Sequence, residues 1–254
     1  MIHKLASVSP KAKIAADAAI GPFAVIGDHV TIGSGTEVGP HVVIEGRTEI
    51  GQKNRISAGA VIGLEPQDKK FKGEPLLKIG DQNVIREYAT IHGGASEHGT
   101  VIGNENYIMA YCHIAHDCHL NDGIVMANAA MLSGHVWVGN KAFISGFVGV
   151  HQFARIGEYT MIGGHSRVSL DILPYSLCQG EPLSVIGANS VGLKRAGFTD
   201  KQILDIKSTL RTLLYSDKLF KDALEVVRKE AKSPEARRIL QFIDESKRGI
   251  TCRS

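Results

Sequence analysis

Aromatic side chains are scarce: Phe, Trp and Tyr make up 6% of the 254 residues, and only one Trp occurs. Such large side chains dominate the cores of most layered domains, so their shortage argues against a conventional layered core. Four cysteines, Cys112, Cys118, Cys178 and Cys252, are too few and too unevenly spaced for a disulfide framework or a paired-thiolate metal site. Cys112 and Cys118 read instead as small packing residues. No run of eighteen apolar residues exists, and Met1 to Ala6 carries no long apolar stretch behind a basic patch. The reading is a soluble, cytoplasmic chain without membrane insertion. No nucleic-acid motif or aromatic platform is present, so nucleic acid is not an expected partner.

What the chain has in quantity is glycine, with 28 residues, and a period of six. From Ile102 to Val168 an apolar residue returns at every sixth position, twelve times in succession. The same step runs earlier from Val8 to Ile62. A period of six fits neither a helix nor an amphipathic strand. It is the pattern of a β-solenoid of hexapeptide repeats, whose short strands send one apolar side chain into a narrow bore. Glycine follows the ladder residue at 103, 139, 157 and 163, where a turn without a Cβ is expected.

The ladder breaks twice. Seventeen residues separate Ile62 from Ile79, so Leu64 to Lys78 holds about one coil's worth of extra chain. Its polar stretch from Glu65 to Pro75 is a solvated loop on one reading and a functional excursion on the other. A shorter break covers Gly93 to Val101. These observations predict a solenoid over 1–189 with excursions near 64–78 and 93–101, followed by a helical domain over 190–254. Thr199 and Gln202 form a capping box ahead of Ile203, Ile206, Leu210 and Leu213. Leu219, Ala223, Val226 and Val227 suggest a further helix. Ser233-Pro234 opens a last one carrying Ile239, Leu240 and Ile243. From Ser190 onward fifteen Lys and Arg face nine Asp and Glu, a net of +6 in a chain of net +3. A basic end of this kind suits phosphate or an acidic protein.

If three hexads make one coil, residues 18 apart stack at about the spacing of neighbouring strands. His116, Gly134 and Gln152 then form one line, with Asp117, His135 and Phe153 beside it. An imidazole accepts a proton near neutral pH, a carboxylate holds its tautomer, and Gly134 leaves its N–H open to an oxyanion. That combination points to acyl transfer. His113, His116, His119, His135 and His151 also raise a zinc reading, as in trimeric β-helix carbonic anhydrases, but their spacing does not match. The chain is therefore read as binding no metal.

With His113-Ile-Ala-His-Asp117, Gly134-His135, His151-Gln152-Phe153 and Gly192-Leu-Lys-Arg195 inside a hexad solenoid, the sequence resembles the UDP-N-acetylglucosamine O-acyltransferases over nearly its whole length. The resemblance implies a left-handed parallel β-helix with a C-terminal α-helical domain, although general chirality rules favour the opposite hand. It implies a homotrimer with active sites between subunits, moving a 3-hydroxyacyl group from acyl carrier protein to the 3-hydroxyl of UDP-N-acetylglucosamine in lipid A biosynthesis. No cofactor is implied. In the same comparison His116 resembles the general base, with Asp117 beside it and Gly134 as oxyanion donor. Gln67, Asp68 and Lys70 fall where the family holds the sugar nucleotide, and His113, His135 and Gln152 line the cleft. Asn189 and Arg195 match residues gripping the uridine and phosphates, and Gly164 matches the position that measures the acyl chain. Gly93, Val191 and Ala196 depart from the family pattern. Transfer to a 3-amino sugar nucleotide, or from acetyl-coenzyme A, is the alternative within the fold.

Overall fold

The computed structural model describes residues 1–252. Nearly every ladder residue closes a short strand, most of them two residues long, and the chain turns a corner after each. The corners put successive strands on different faces, so within the coils each strand bonds to one a full coil away. The result is three sheets, each taking every third strand. The first face holds nine strands, from Ser7–Val8 to Arg167–Val168. The second holds eight, from Lys13–Ile14 to Arg155–Ile156, and the third ten, from Ala19–Ile20 to Ser184–Ala188. Between coils the pairing is parallel, for the most part in steps of 18, as where His113 lies opposite Met131 and Leu120 opposite Val138, while Ser176–Gln179 and Ser184–Ala188 close the third sheet as an antiparallel pair. The chain is a left-handed parallel β-helix.

Between Ile102 and Val168 no ladder side chain is more than 2% exposed. Burying each contributes about 1.5–3 kcal/mol, and repetition supplies the core that aromatics do not. A second inward position lies two residues before the ladder residue and carries small side chains such as Ala130, Ala142, Cys112 and Cys118. Burial pushes the thiols of these two cysteines up to about 11 and about 12, so both pack without reacting.

The glycines after the ladder residue do spare the corners a Cβ clash, and the clash is with the next coil. Left-handed backbone falls three residues after the ladder residue and is occupied by Phe23, His41, Tyr88, Tyr111, Asp117, His135, Phe147, Phe153 and others. Rings in these places stack on the next coil, as Tyr88 on Tyr111 at 5.4 Å and Phe147 on His165 at 5.0 Å. Gly103, Gly139, Gly157 and Gly163 have no positive φ. A Cβ at Gly139 would instead sit 2.6 Å from the Glu158 nitrogen, so glycine there lets one coil approach the next.

The first excursion leaves after the strand Val61–Leu64 and returns at Leu76–Ile79. Across it the pairing step grows from 18 to 29, with Val61 opposite Thr90, so eleven residues are extra, short of a full coil. The second excursion raises the step to 23, with Thr90 opposite His113, which makes five extra residues.

The solenoid persists past Val168, where Leu177 and Cys178 still pair with Met161 and Ile162. Four helices follow: α1 (Ser190–Arg195), α2 (Asp200–Tyr215), α3 (Phe220–Glu230) and α4 (Pro234–Glu245). Thr199 and Gln202 make the reciprocal capping box of α2, which buries Ile203, Ile206, Leu210 and Leu213. Ser233 caps α4 with Pro234 in its first turn. Leu219 departs from expectation: it is the exposed N-cap of α3, while Ala223 and Val227 carry that helix's buried face. The cap is fastened to the last coils. Arg155 donates to Glu245 at 2.6 Å while its guanidinium lies 5.1 Å from the Trp137 ring centre and 4.7 Å from that of Phe242. Buried Asp171 accepts from the Arg155 N–H at 2.8 Å and from the Ser246 hydroxyl at 2.7 Å.

Candidate active site

The strand His113–Ile114 lies on the first face, and the corner after it carries His116 and Asp117. Asp117 takes left-handed backbone, φ 58°, as do His135 and Phe153 on the next two coils, φ 60° and 66°. The corner therefore presents a column of three side chains, with the rings of His135 and Phe153 stacked at 4.6 Å.

His116 Nδ1 lies 2.8 Å from Asp117 Oδ2. A carboxylate only accepts, so the proton sits on Nδ1 and the lone pair on Nε2. The ring reaches down the column to Gly134, where an added Cβ would stand 2.6 Å from Nε2. Glycine is thus required for the imidazole to lie where it does. Gly134 is buried, and its N–H has no acceptor among the described residues, a property most corners share. Burial alone would raise the Asp117 carboxyl, but hydrogen bonds from Ser96, His116 and Ala95 prevail and hold it at about 2. It is ionised at neutral pH.

His113 opens the strand that leads into this corner. Its Nδ1 is 2.7 Å from the Thr90 hydroxyl, and its ring meets His92 edge-on at 5.0 Å. Burial first, and then the charge of His92, pull it down to about 4, so it is neutral at pH 7. His92 is lowered too, by burial and by His116, and its Nδ1 is buried without a partner.

The structure brings His113, His116, Asp117, Gly134 and His135 together and separates the other expected residues from them. His119 is exposed on the second face, opposite Val101 and Trp137, and His151 bonds to the Gln152 carbonyl. The five-histidine cluster considered for zinc thus dissolves. His116, Asp117 and His135 do offer ligand atoms within 4.8 Å of one another, but the carboxylate oxygen is committed to His116. Gln152 follows the column, and its side chain makes no polar contact among the described residues. Gln67, Asp68 and Lys70 are exposed on the first excursion, where Asp68 accepts from the Lys70 N–H at 2.9 Å. Gly164 follows the strand Met161–Ile162 on the third face, a different corner from that of His116. Asn189 caps α1, accepting from Gly192 at 3.1 Å and donating to the Tyr159 carbonyl at 2.8 Å, and Arg195 closes that helix.

Thr90, His92, Gly94, Ser96 and Thr100 were not expected near the site. Their one signal in the sequence is the second break in the ladder, which precedes His113 by a single coil.

A parallel β-helix of six-residue repeats bearing a His–Asp pair packed against a glycine of the next coil defines a hexapeptide-repeat transferase. The hexapeptide family, "Bacterial transferase hexapeptide (six repeats)", matches residues 11–46, and the family "Udp N-acetylglucosamine O-acyltransferase; Domain 2" matches residues 171–251. The chain is 51% identical over 257 residues to the acyl-[acyl-carrier-protein]--UDP-N-acetylglucosamine O-acyltransferase of Thermodesulfovibrio yellowstonii, covering 99% of both. To that of Janthinobacterium sp. it is 49% identical, covering 98% of both. The crystal structure of the Francisella novicida UDP-N-acetylglucosamine acyltransferase superposes with a TM-score of 0.96 at 41% identity, over 99% of this chain and 94% of that one. This chain belongs to the UDP-N-acetylglucosamine O-acyltransferase family.

Proposed function

We propose that the protein transfers a 3-hydroxyacyl chain from acyl carrier protein to the 3-hydroxyl of UDP-N-acetylglucosamine, the first step of lipid A biosynthesis, in the cytoplasm. The observation that carries this reading is the free Nε2 of His116 above Gly134, with Nδ1 bound to an ionised Asp117. His116 takes the proton of the sugar hydroxyl as its oxygen attacks the thioester carbonyl. The Gly134 N–H then meets the tetrahedral oxyanion. Collapse breaks the carbon–sulfur bond, and the imidazolium returns its proton to the departing thiolate.

His113, neutral and fixed by Thr90, and His135 line the acceptor's place with Gln152. Gln67, Asp68 and Lys70 bring polar groups from the first excursion to the sugar nucleotide, and Asn189 and Arg195 bring α1 to its nucleotide end. Gly164 sets the length of the acyl channel. Because Gly164 and His116 occupy different corners, a cleft using both takes the Gly164 corner from a second copy, which supports a homotrimer. The division into a solenoid over 1–189 and a basic cap over 190–254 fits the same reading, since a net of +6 suits an acidic carrier protein.

The test is transfer to UDP-N-acetylglucosamine from 3-hydroxyacyl carrier proteins of increasing chain length, read by mass spectrometry. His116→Ala is expected to lower turnover by at least about 100-fold. Near-normal turnover in that variant would remove His116 as the base. Transfer only to the 3-amino analogue, or only from coenzyme A thioesters, would replace the acceptor or donor named above.

A further inference from the structure

The excursion at 93–99 adds five residues that the solenoid does not need, and the backbone of Gly93 to Ser96 is spent on two targets. One is the base of the first excursion: Gly93 donates to the Leu64 carbonyl at 3.0 Å, and Gly94 and Leu76 exchange bonds at 2.8 and 3.1 Å. The other is Asp117. The Ser96 N–H donates to Oδ1 at 2.9 Å, and the Ala95 N–H lies 3.3 Å from Oδ2. From behind, the Asp117 N–H donates to the Thr100 hydroxyl at 2.8 Å. An added Cβ on Gly94 would stand 2.5 Å from Asp117 Oδ1, so the backbone passes as close to the carboxylate as glycine permits.

The neighbouring corners show what happens without such a lid. His135 and Phe153, equivalent to Asp117 on the next coils, have side chains exposed by 37% and residue exposure of 52%, whereas the Asp117 side chain is 4% exposed. We infer that Gly94, Ala95 and Ser96 form a positioning clamp for the base: they orient the Asp117 carboxylate so that it holds the His116 proton on Nδ1 and leaves Nε2 free. The inference rests on the acyl-transfer reading for its effect on rate, though not for its effect on the imidazole. The other titratable groups facing the pair are His135, whose Nε2 is 3.9 Å from Asp117 Oδ2, and buried His92. Glu97 and His98, on the excursion itself, are exposed and pair with each other at 3.3 Å.

Two variants test the clamp. Gly94→Ala drives a methyl group at the carboxylate, and Ser96→Pro deletes the donor N–H in an exposed turn without touching the bore. The first readout is the His116 tautomer, from long-range proton–nitrogen correlations in protein carrying ¹⁵N-histidine. The second is the pH profile of kcat, with KM measured alongside. In the unmodified protein one tautomer, protonated at Nδ1, is expected. In the variants a mixture is expected, with kcat lower by about tenfold or more and KM for the acceptor within about twofold. The pH profile of kcat is expected to change in the same variants. If Gly94→Ala fails to fold, Ser96→Pro decides. An unaltered tautomer and kcat in a variant that melts normally would overturn the clamp. Should the unmodified protein show no acyl transfer, that failure belongs to the proposed function, and the tautomer still decides the clamp.

Discussion

At Gly134, a single hydrogen atom makes room for the chemistry. Gly134→Ala places a methyl group where the His116 ring lies, and turnover is expected to fall about 100-fold while the melting temperature stays within a few degrees. An alanine variant with full turnover would mean that the imidazole works from another place. His113 gives a second expectation, about stability. Its folded value of about 4 lies below the ordinary histidine range, so between roughly pH 6.5 and 4 the unfolded chain takes up a proton that the folded one refuses. Stability should therefore fall as pH drops through that window. Asp117, held at about 2, adds a further loss below about pH 4, because its ionised form is the one the fold stabilises. Urea unfolding at a series of pH values reads both, and His113→Asn should flatten the upper part of the curve.

Strands and corners were unequally legible in the sequence. The ladder from Ile102 to Val168 announced itself because each apolar residue occupies the same place in a coil, and the stacking of His116 on Gly134 followed from that step alone. The clamp on Asp117 did not follow, because Ala95 and Ser96 reach it by leaving the repeat. The glycines were legible as places without room for a Cβ, but not what crowds them, which is the next coil and not the local turn. Phe242 was overlooked among the residues of α4, yet it is fully buried against Arg155. Another element hidden from hydrophobic patterning is the polar column Thr36, Asn54, Asn83 and Asn106, buried at a corner of the bore. Asn83 Nδ2 donates to Asn54 Oδ1 at 3.0 Å and to the Gly103 carbonyl at 2.9 Å, while its Oδ1 accepts from the Asn106 N–H at 2.9 Å. Asn83→Ala strands these partners, and a loss of about 1–3 kcal/mol in urea unfolding is expected.

Over the whole molecule, the helical cap closes one end of the prism, and Arg155 is its principal fastening. Arg155→Lys keeps the charge opposite Glu245 but loses the guanidinium's contact with the Trp137 and Phe242 rings. The cap should then become more susceptible to limited proteolysis, with the solenoid still resistant. Arg155→Ala should go further, and equal resistance of cap and solenoid in both variants would argue that apolar packing alone holds the end.

The constant step of 18 also governs how the gene for such a chain can change. Loss of one codon anywhere between Ile102 and Val168 shifts every later residue by one place on its coil, and buried side chains are sent to the corners. The protein thus has a reading frame of its own, counted in sixes, superimposed on that of the codons. Natural variation in length should be confined to whole coils or, of the two places where the count is already suspended, 65–75 and 93–99, to the first. A foreign peptide spliced at the tip of the first would leave the frame intact, whereas the second has no such freedom, because its backbone is tied to Asp117.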